Sequence, residues 1–121
     1  MAALYLNGSK VVNSLVMDGS VGGITTILDG TDTTNKWAEP LVYDDVNVLD
    51  YDLLCFKGKV QNTSFTMYFH TEDLPISQTA GQGNNYIVIL TYGFLYIDTN
   101  GYLYFYVETG KTLVLNEIIV C

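Results

Sequence analysis

Hydrophobic and polar positions alternate along most of this chain with a period of two, which is typical of β-strands that bury one face. These short runs are separated by turn-forming residues such as Gly, Asn and Asp. A helical period is nowhere convincing. Counting the runs predicts an all-β protein, an antiparallel β-sandwich or jelly roll of about eight strands.

The most regular part of the pattern is residues 92–107, which read YGFLYIDTNGYLYFYV. Two strand-like runs are joined there by the sequence DTNG. Asp is favoured at the first position of a type I turn, and Gly at the last, where a positive φ is needed. The segment therefore predicts a β-hairpin.

Two registers are open to this hairpin, and only one sorts its side chains by type. A two-residue Asn-Gly loop would pair Ile97 with Tyr104 and mix aliphatic with tyrosine side chains on both faces. A three-residue loop, with Gly101 left-handed, pairs Ile97 with Leu103 and separates the two types. We predict this second register, with an aliphatic face of Leu95, Ile97, Leu103, Phe105 and Val107. The opposite face would carry Tyr92, Phe94, Tyr96, Tyr102, Tyr104 and Tyr106.

The predicted tyrosine-rich side is too large to lie uncovered in water. Six aromatic side chains left half exposed would present roughly 450–750 Å². The largest apolar patch on a typical soluble monomer is about 300–600 Å². Three covers remain open: the chain itself, another subunit, or a sugar that stacks on the rings.

Further strands are predicted from shorter runs at residues 3–6, 9–12, 24–28, 37–43, 51–60, 64–70 and 112–120. Asn7-Gly8 predicts a tight hairpin between the first two of them. Pro40 cannot donate to a ladder and favours an edge position, and Gly58 marks an expected bulge. Residues 71–85 predict a long surface loop.

Residues 31–36 form a polar stretch that is the one plausible internal boundary. The first 36 residues are too few to hold a separate core. We therefore expect one domain spanning residues 1–121, with residues 1–36 as N-terminal strands or an arm of it.

The charge balance narrows the classes of partner. The chain of 121 residues has thirteen acidic residues, five lysines and no arginine, for a formal net charge of −8. Nucleic-acid binding normally requires a basic stripe, so we expect none. No apolar run reaches the ~18–20 residues of a membrane span, and the start lacks a signal-peptide pattern. Cys55, in an apolar run, is expected to be buried, and Cys121 ends the chain.

Candidate chemistry is sparse. His70 is the only histidine, so the usual zinc set is not available, and no nucleophile motif lies near it in the sequence. The acid pairs flank predicted turns, where Asp caps the backbone. A calcium-binding loop at Asp29 and Asp32 is kept as an alternative. Trp37 fits either a core position or a sugar-stacking one. We expect no enzyme activity, no cofactor and no metal.

Several short segments resemble modules of tail-fibre, baseplate and minor structural proteins from phages and prophages of Gram-positive bacteria. They are LYLNG at residues 4–8, LVYDD at 41–45, DYDLL at 50–54 and NEII at 116–119. The resemblance implies a β-sandwich that assembles, commonly as a trimer, in a virion appendage, with receptor binding in some members. No functional residue is carried over, because the family has no fixed binding motif.

The combined expectation is a non-enzymatic structural or attachment module of a phage tail, synthesised in the bacterial cytoplasm without a signal peptide. It would form a homo-oligomer, with a trimer favoured, through the tyrosine-rich side of the hairpin. The alternative is a carbohydrate-binding module that recognises a host cell-surface glycan.

Overall fold

The structure, a computed structural model, describes residues 23–121, which fold into two four-stranded antiparallel sheets. The predicted all-β sandwich of about eight strands is confirmed. Two single-turn 3₁₀ helices, Val48–Asp50 and Thr71–Asp73, lie between strands. The strands are β1 (Thr25–Thr34), β2 (Leu41–Tyr43), β3 (Leu53–Val60), β4 (Thr63–His70), β5 (Ile87–Ile89), β6 (Gly93–Ile97), β7 (Leu103–Val107) and β8 (Leu113–Val120).

The first sheet has the strand order β1-β8-β3-β4, and the second has the order β2-β7-β6-β5. The chain crosses between the sheets after β1, β2, β4 and β7. Among the described strands, only the β3–β4 hairpin and the β5–β6–β7 meander join strands that are neighbours in both sequence and space. The order of strands therefore depends on long-range pairing.

The central hairpin has the predicted register. Ile97 lies opposite Leu103, and Leu95 lies opposite Phe105. Gly101 has a φ of 76°, as the three-residue loop requires. All five residues of the aliphatic face are fully buried, so the segregation of side chains identified the inward side correctly.

Aromatic contact joins the two sheets at the centre of the core. The rings of Phe56, on β3, and Phe105, on β7, have centroids 5.1 Å apart in a T-shaped arrangement. Phe56 also packs against Phe65 and Phe69 of β4, at 6.1 Å and 6.0 Å. Burying such a side chain stabilises a fold by about 1.5–3 kcal/mol.

The β3–β4 hairpin also agrees with the sequence. Phe65, Met67 and Phe69 point inward and Tyr68 outward, as alternation predicts. The expected irregularity does lie at Gly58, where the pairing of β3 with β8 shifts, whereas β3 and β4 stay in continuous register. On either side of the shift, Lys57 lies opposite Glu117 and Gly58 lies opposite Leu115. Asn116 of β8 therefore has no opposite residue on β3, and the extra residue of the bulge belongs to β8.

The first described strand is longer than predicted. Sequence reasoning ended it at Asp29-Gly30 and placed a polar loop at residues 31–36, but β1 continues to Thr34. Its backbone pairs with β8 through two register shifts that absorb the turn-like residues. Most side chains in that half of β1 are exposed, so their polarity does not oppose strand formation.

Of the predicted arm, residues 25–34 belong to the first sheet as β1. Residues 1–22 of it, with the predicted Asn7-Gly8 hairpin, lie outside the described residues. Within residues 23–121 no helix is long and apolar enough to cross a membrane.

Cys55 is only half-buried, because it lies on the outward face of β3, opposite Tyr68 and Ile119. Alternation puts its neighbours Leu54 and Phe56 in the core instead. No disulfide joins Cys55 to Cys121. Burial, followed by the nearby Glu117 carboxylate, raises the pKa of the Cys55 thiol to about 11.

Gly58 provides a test of the packing between β3 and β8. A Cβ atom at this position would lie 1.9 Å from the carbonyl oxygen of Val114, a backbone atom that cannot rotate away. We expect Gly58→Ala to lower the free energy of unfolding by roughly 3 kcal/mol or more, measured by urea denaturation. Gly30→Ala is the control, because a methyl group there meets nothing within 4 Å. Equal stability of the two variants would contradict this account.

Candidate functional site

The outward side of the second sheet carries an apolar surface that crosses all four strands. Val42 of β2 lies opposite Tyr104, and Val88 of β5 lies opposite Phe94, so both valines share the side of the tyrosines. The outward strand positions include no charged residue, although the chain has thirteen acidic residues. We call this surface the aromatic face and define it as Val42, Val88, Phe94, Tyr96, Tyr104 and Tyr106.

Trp37 covers part of the aromatic face. Its ring centroid lies 4.6 Å from that of Tyr106 and 5.5 Å from that of Phe94. The tryptophan sits in a turn closed by a hydrogen bond from the Glu39 amide to the Lys36 carbonyl, and its own amide donates to Thr109 Oγ1 at 3.0 Å. Trp37 is therefore half-buried on the outside of the sandwich rather than in the core.

The long loop before β5 supplies a second cover. The ring of Tyr86 lies 5.4 Å from Phe94 and 5.3 Å from Tyr96, centroid to centroid. The backbone of Gly81, with a φ of 83°, approaches Tyr106 so closely that a Cβ atom would lie 2.8 Å from the ring. A side chain at position 81 would therefore strain the backbone at this φ and would require Tyr106 or the loop to shift.

Ser77 fixes this loop against the end of β6. Its amide donates to the Ile97 carbonyl at 2.8 Å, and its hydroxyl donates to the Asn85 carbonyl at 3.1 Å. The Asn85 side chain in turn donates to the Ile76 carbonyl at 3.1 Å. Ser77 is buried, so these bonds satisfy groups that would otherwise be costly to remove from water.

The chain covers the middle of the aromatic face and leaves its margins open. Tyr96 is only 3% exposed, and burial raises the pKa of its hydroxyl. Val42 and Val88, at opposite margins, are 43% and 50% exposed. Of the three predicted covers, the chain itself accounts for the centre, and the margins remain available to a subunit or a ligand.

Asp98 organises the turn end of the face. Its Oδ1 atom accepts hydrogen bonds from the amides of Asn100 at 2.8 Å and Tyr102 at 3.1 Å. Its Oδ2 atom accepts from the Tyr104 hydroxyl at 2.8 Å. This hydrogen bond is the main reason that the pKa of Tyr104 is raised to about 12, with burial second. Sequence reasoning gave Asp98 only a turn role, although alternation already put it on the tyrosine side with Tyr96.

Two of the predicted site residues lie away from the ring cluster. Tyr92 packs against the hydrophobic core, and the Lys111 ammonium lies 4.5 Å from its ring centroid. The cause is a tight turn in which Leu90 and Thr91 have φ values of 47° and 71°, so β6 begins only at Gly93. Neither residue type favours that conformation, and the sequence gave no signal for it. Tyr102 is half-buried beside the Asp98 turn.

A shallow cavity of about 320 Å³ lies in the same loop that carries Gly81 and Tyr86. Its lining includes four amide side chains and no charged residue. Amides both donate and accept hydrogen bonds, which suits a neutral ligand rich in hydroxyl groups. The lining residues are Ser77, Gln78, Thr79, Gln82, Gly83, Asn84 and Asn85.

The two acidic residues of the candidate calcium loop, Asp29 and Asp32, have different neighbours. Asp29 lies opposite Glu117 on the first sheet, whereas Asp32 accepts a hydrogen bond of 2.7 Å from the Tyr43 hydroxyl. Burial, followed by this hydrogen bond, raises the pKa of Tyr43 strongly. In the part of the chain that the structure describes, no three His, Cys, Asp or Glu side chains are grouped so that they could hold a metal ion. His70 is exposed at the end of β4.

Fold and site together define a small antiparallel β-sandwich with an apolar, aromatic outer face. Comparisons with protein-family models, curated proteins and solved structures give no match to this chain. The function is therefore argued from the geometry of its own residues.

Asp98 gives a test that separates turn stability from charge. We expect Asp98→Ala to lower the free energy of unfolding by roughly 1–3 kcal/mol, because two amides and a hydroxyl lose their acceptor. Asp98→Asn keeps an acceptor oxygen for the amides but removes the charge, so it should cost less. In both variants the pKa of Tyr104 should fall from about 12 towards the ordinary value of 10. Titration of tyrosinate absorbance measures this change.

The raised pKa of Tyr104 also predicts how the stability of the fold changes with pH. Because the folded-state pKa of Tyr104 is raised, its contribution to stability is fully present below pH 10 and is lost as the pH rises through about 12. The alkaline loss of stability should be less steep in Asp98→Asn than in the parent chain. An unchanged tyrosine titration in both variants would contradict the assigned hydrogen bond.

Proposed function

We propose that this chain is a non-enzymatic structural subunit that assembles with copies of itself through the open margins of the aromatic face. The observation that carries the proposal is the pair of exposed valines, Val42 and Val88, which extend the half-buried rings across four strands. An apolar surface of this kind is stabilised when a partner removes it from water.

The distribution of charge supports a protein partner. Interface cores are depleted of charged residues and enriched in Tyr, Trp and Phe. The six residues that define the aromatic face have this composition, and the carboxylate at its turn end, Asp98, is held by hydrogen bonds within its own chain. The middle of the face and its Val88 margin therefore offer an uncharged surface to a second copy.

The biological setting comes from the resemblance of residues 4–8, 41–45, 50–54 and 116–119 to phage tail modules. On this basis we propose that the subunit belongs to a virion tail appendage, is made in the bacterial cytoplasm and assembles as a trimer. The β-sandwich fold is the part of that expectation that the structure shares.

The interface is tested by placing charge at both margins. In the full chain we expect Val42→Glu with Val88→Glu to weaken assembly at least about 100-fold, because carboxylates would be desolvated in the contact. Multi-angle light scattering across low micromolar concentrations measures the mass, and circular dichroism checks the fold. The matched control is Thr26→Glu with Thr33→Glu, which adds the same charge to exposed positions of the first sheet.

The unmodified chain should form an assembly in the same measurement, with three copies favoured for the contact through the aromatic face. A strictly monomeric mass at these concentrations would overturn the proposal. Equal loss of assembly in the control pair would overturn it too, because the effect would then come from net charge.

A second candidate function is recognition of a cell-surface glycan, favoured by the amide-lined cavity beside Tyr86. Sugar hydroxyls would bond to side chains such as Gln82 and Asn84, and a ring could stack at the margin of the aromatic face. We expect Gln82→Ala with Asn84→Ala to abolish specific hits on a glycan array and in a cell-wall pulldown. Thr63→Ala, at an exposed position of β4 in the first sheet, is the control. The absence of specific hits with the unmodified chain would exclude this function.

A further inference from the structure

The four edge strands of the sandwich are protected to different degrees. The edges of the second sheet, β2 and β5, are only three residues long, and β1 is interrupted by two register shifts and carries Asp29 and Asp32. Short length, bulges and charge are the usual devices that prevent a strand from pairing with another chain. Three of the four edges therefore have such a device.

The fourth edge, β4, has none of them. It reads TSFTMYFH, eight residues without a charged side chain or a proline, and it pairs with β3 in continuous register. It is the last strand of the first sheet in the described part of the chain. Backbone N–H and C=O groups of alternate β4 residues consequently point away from β3.

Apolar side chains along β4 are incompletely covered. Met67 and Phe69 point towards the core but are only partly buried, because no described strand flanks them on the outer side. On the opposite face Tyr68 is 65% exposed. An added strand would cover these side chains and also satisfy the backbone groups.

We propose that β4 pairs with β4 of a second copy of this chain, antiparallel and about a two-fold axis at Met67, so that the two first sheets become one continuous sheet. Such an isologous contact requires a self-complementary edge. In this register Met67 lies opposite Met67 of the second copy and Phe65 lies opposite its Phe69. On the outer face Thr66 lies opposite Tyr68.

The choice of register follows from alternation. Residues directly opposite must share a face, so the axis passes through a residue and not between two residues. An axis at Thr66 would put Phe69 opposite Thr63, which is exposed and polar. The axis at Met67 instead puts Phe65, Met67 and Phe69 each opposite an apolar side chain.

Charge at the two ends of β4 is complementary in the same register. Lys59 lies opposite Ser64 within the β3–β4 hairpin, and Glu72 and Asp73 follow β4 in an exposed turn. Ser64 would lie opposite His70 of the second copy, which brings Lys59 towards the acidic turn of the other chain. By the two-fold symmetry, this approach of Lys59 to the acidic turn occurs twice, once at each end of the contact.

Disulfide trapping in the full chain tests this contact. Opposite residues of an antiparallel pair have Cα atoms about 4.5–5.5 Å apart, within the range that a disulfide spans. In a background of Cys55→Ser and Cys121→Ser, we expect Met67→Cys to give, on mild oxidation, a covalent species of twice the 13.4 kDa chain mass. Thr66→Cys should give at least about 10-fold less, because its opposite residue is Tyr68.

A second set of variants tests the outer face of the same contact. Adding Thr66→Glu and Tyr68→Glu to Met67→Cys places four carboxylates together in the contact, and the trapped fraction should fall at least about 10-fold. Adding Thr26→Glu and Thr33→Glu, with the same change of charge on β1, should leave it unchanged.

The outcomes separate this contact from the aromatic face. Trapping should persist when Val42→Glu and Val88→Glu are added, since those residues lie on the second sheet. The inference would be overturned by a folded Met67→Cys variant that gives no covalent dimer, by equal trapping of Thr66→Cys, or by loss of trapping with the valine changes. None of these results would decide whether the aromatic face assembles.

Discussion

The contact between Phe56 and Phe105 is the interaction on which the rest of the structure depends. Both rings are fully buried, and they join β3 of the first sheet to β7 of the second with centroids 5.1 Å apart. Burial of these side chains decides which side of each strand faces inward. Because Phe105 points into the core, Tyr104 and Tyr106 must point out, and the aromatic face follows from the position of the core.

The outward-facing rings are largely shielded from water because loops of the same chain pack on them. Trp37 and Tyr86 come from two separate loops and bring Tyr96 almost completely out of water, while Gly81 lets the loop backbone reach Tyr106. Edge-to-face aromatic pairs add roughly 0.5–1.5 kcal/mol each beyond the area that they bury. This cluster behaves as a small second core on one side of the sandwich, and only its margins are exposed.

The aromatic face and the β4 edge belong to different sheets, so a contact at one does not block the other. The first is an apolar surface that excludes water, whereas the second is a row of backbone hydrogen-bonding groups flanked by apolar side chains. A subunit with two separate contacts of different chemistry can build larger assemblies than one with a single contact.

The sequence by itself determined the fold class, the β3–β4 hairpin and the register of residues 92–107. Alternation is a local property, and a slip of one residue would have exposed every aliphatic side chain of that hairpin. It did not determine the extension of β1 through Asp29-Gly30, because an edge strand tolerates polar residues wherever its backbone finds a partner. Nor could it show the left-handed turn at Leu90 and Thr91 that redirects Tyr92, or the packing of Trp37 and Tyr86 above the rings. Those placements are set by contacts between residues far apart in the chain, and only the tertiary structure decides them.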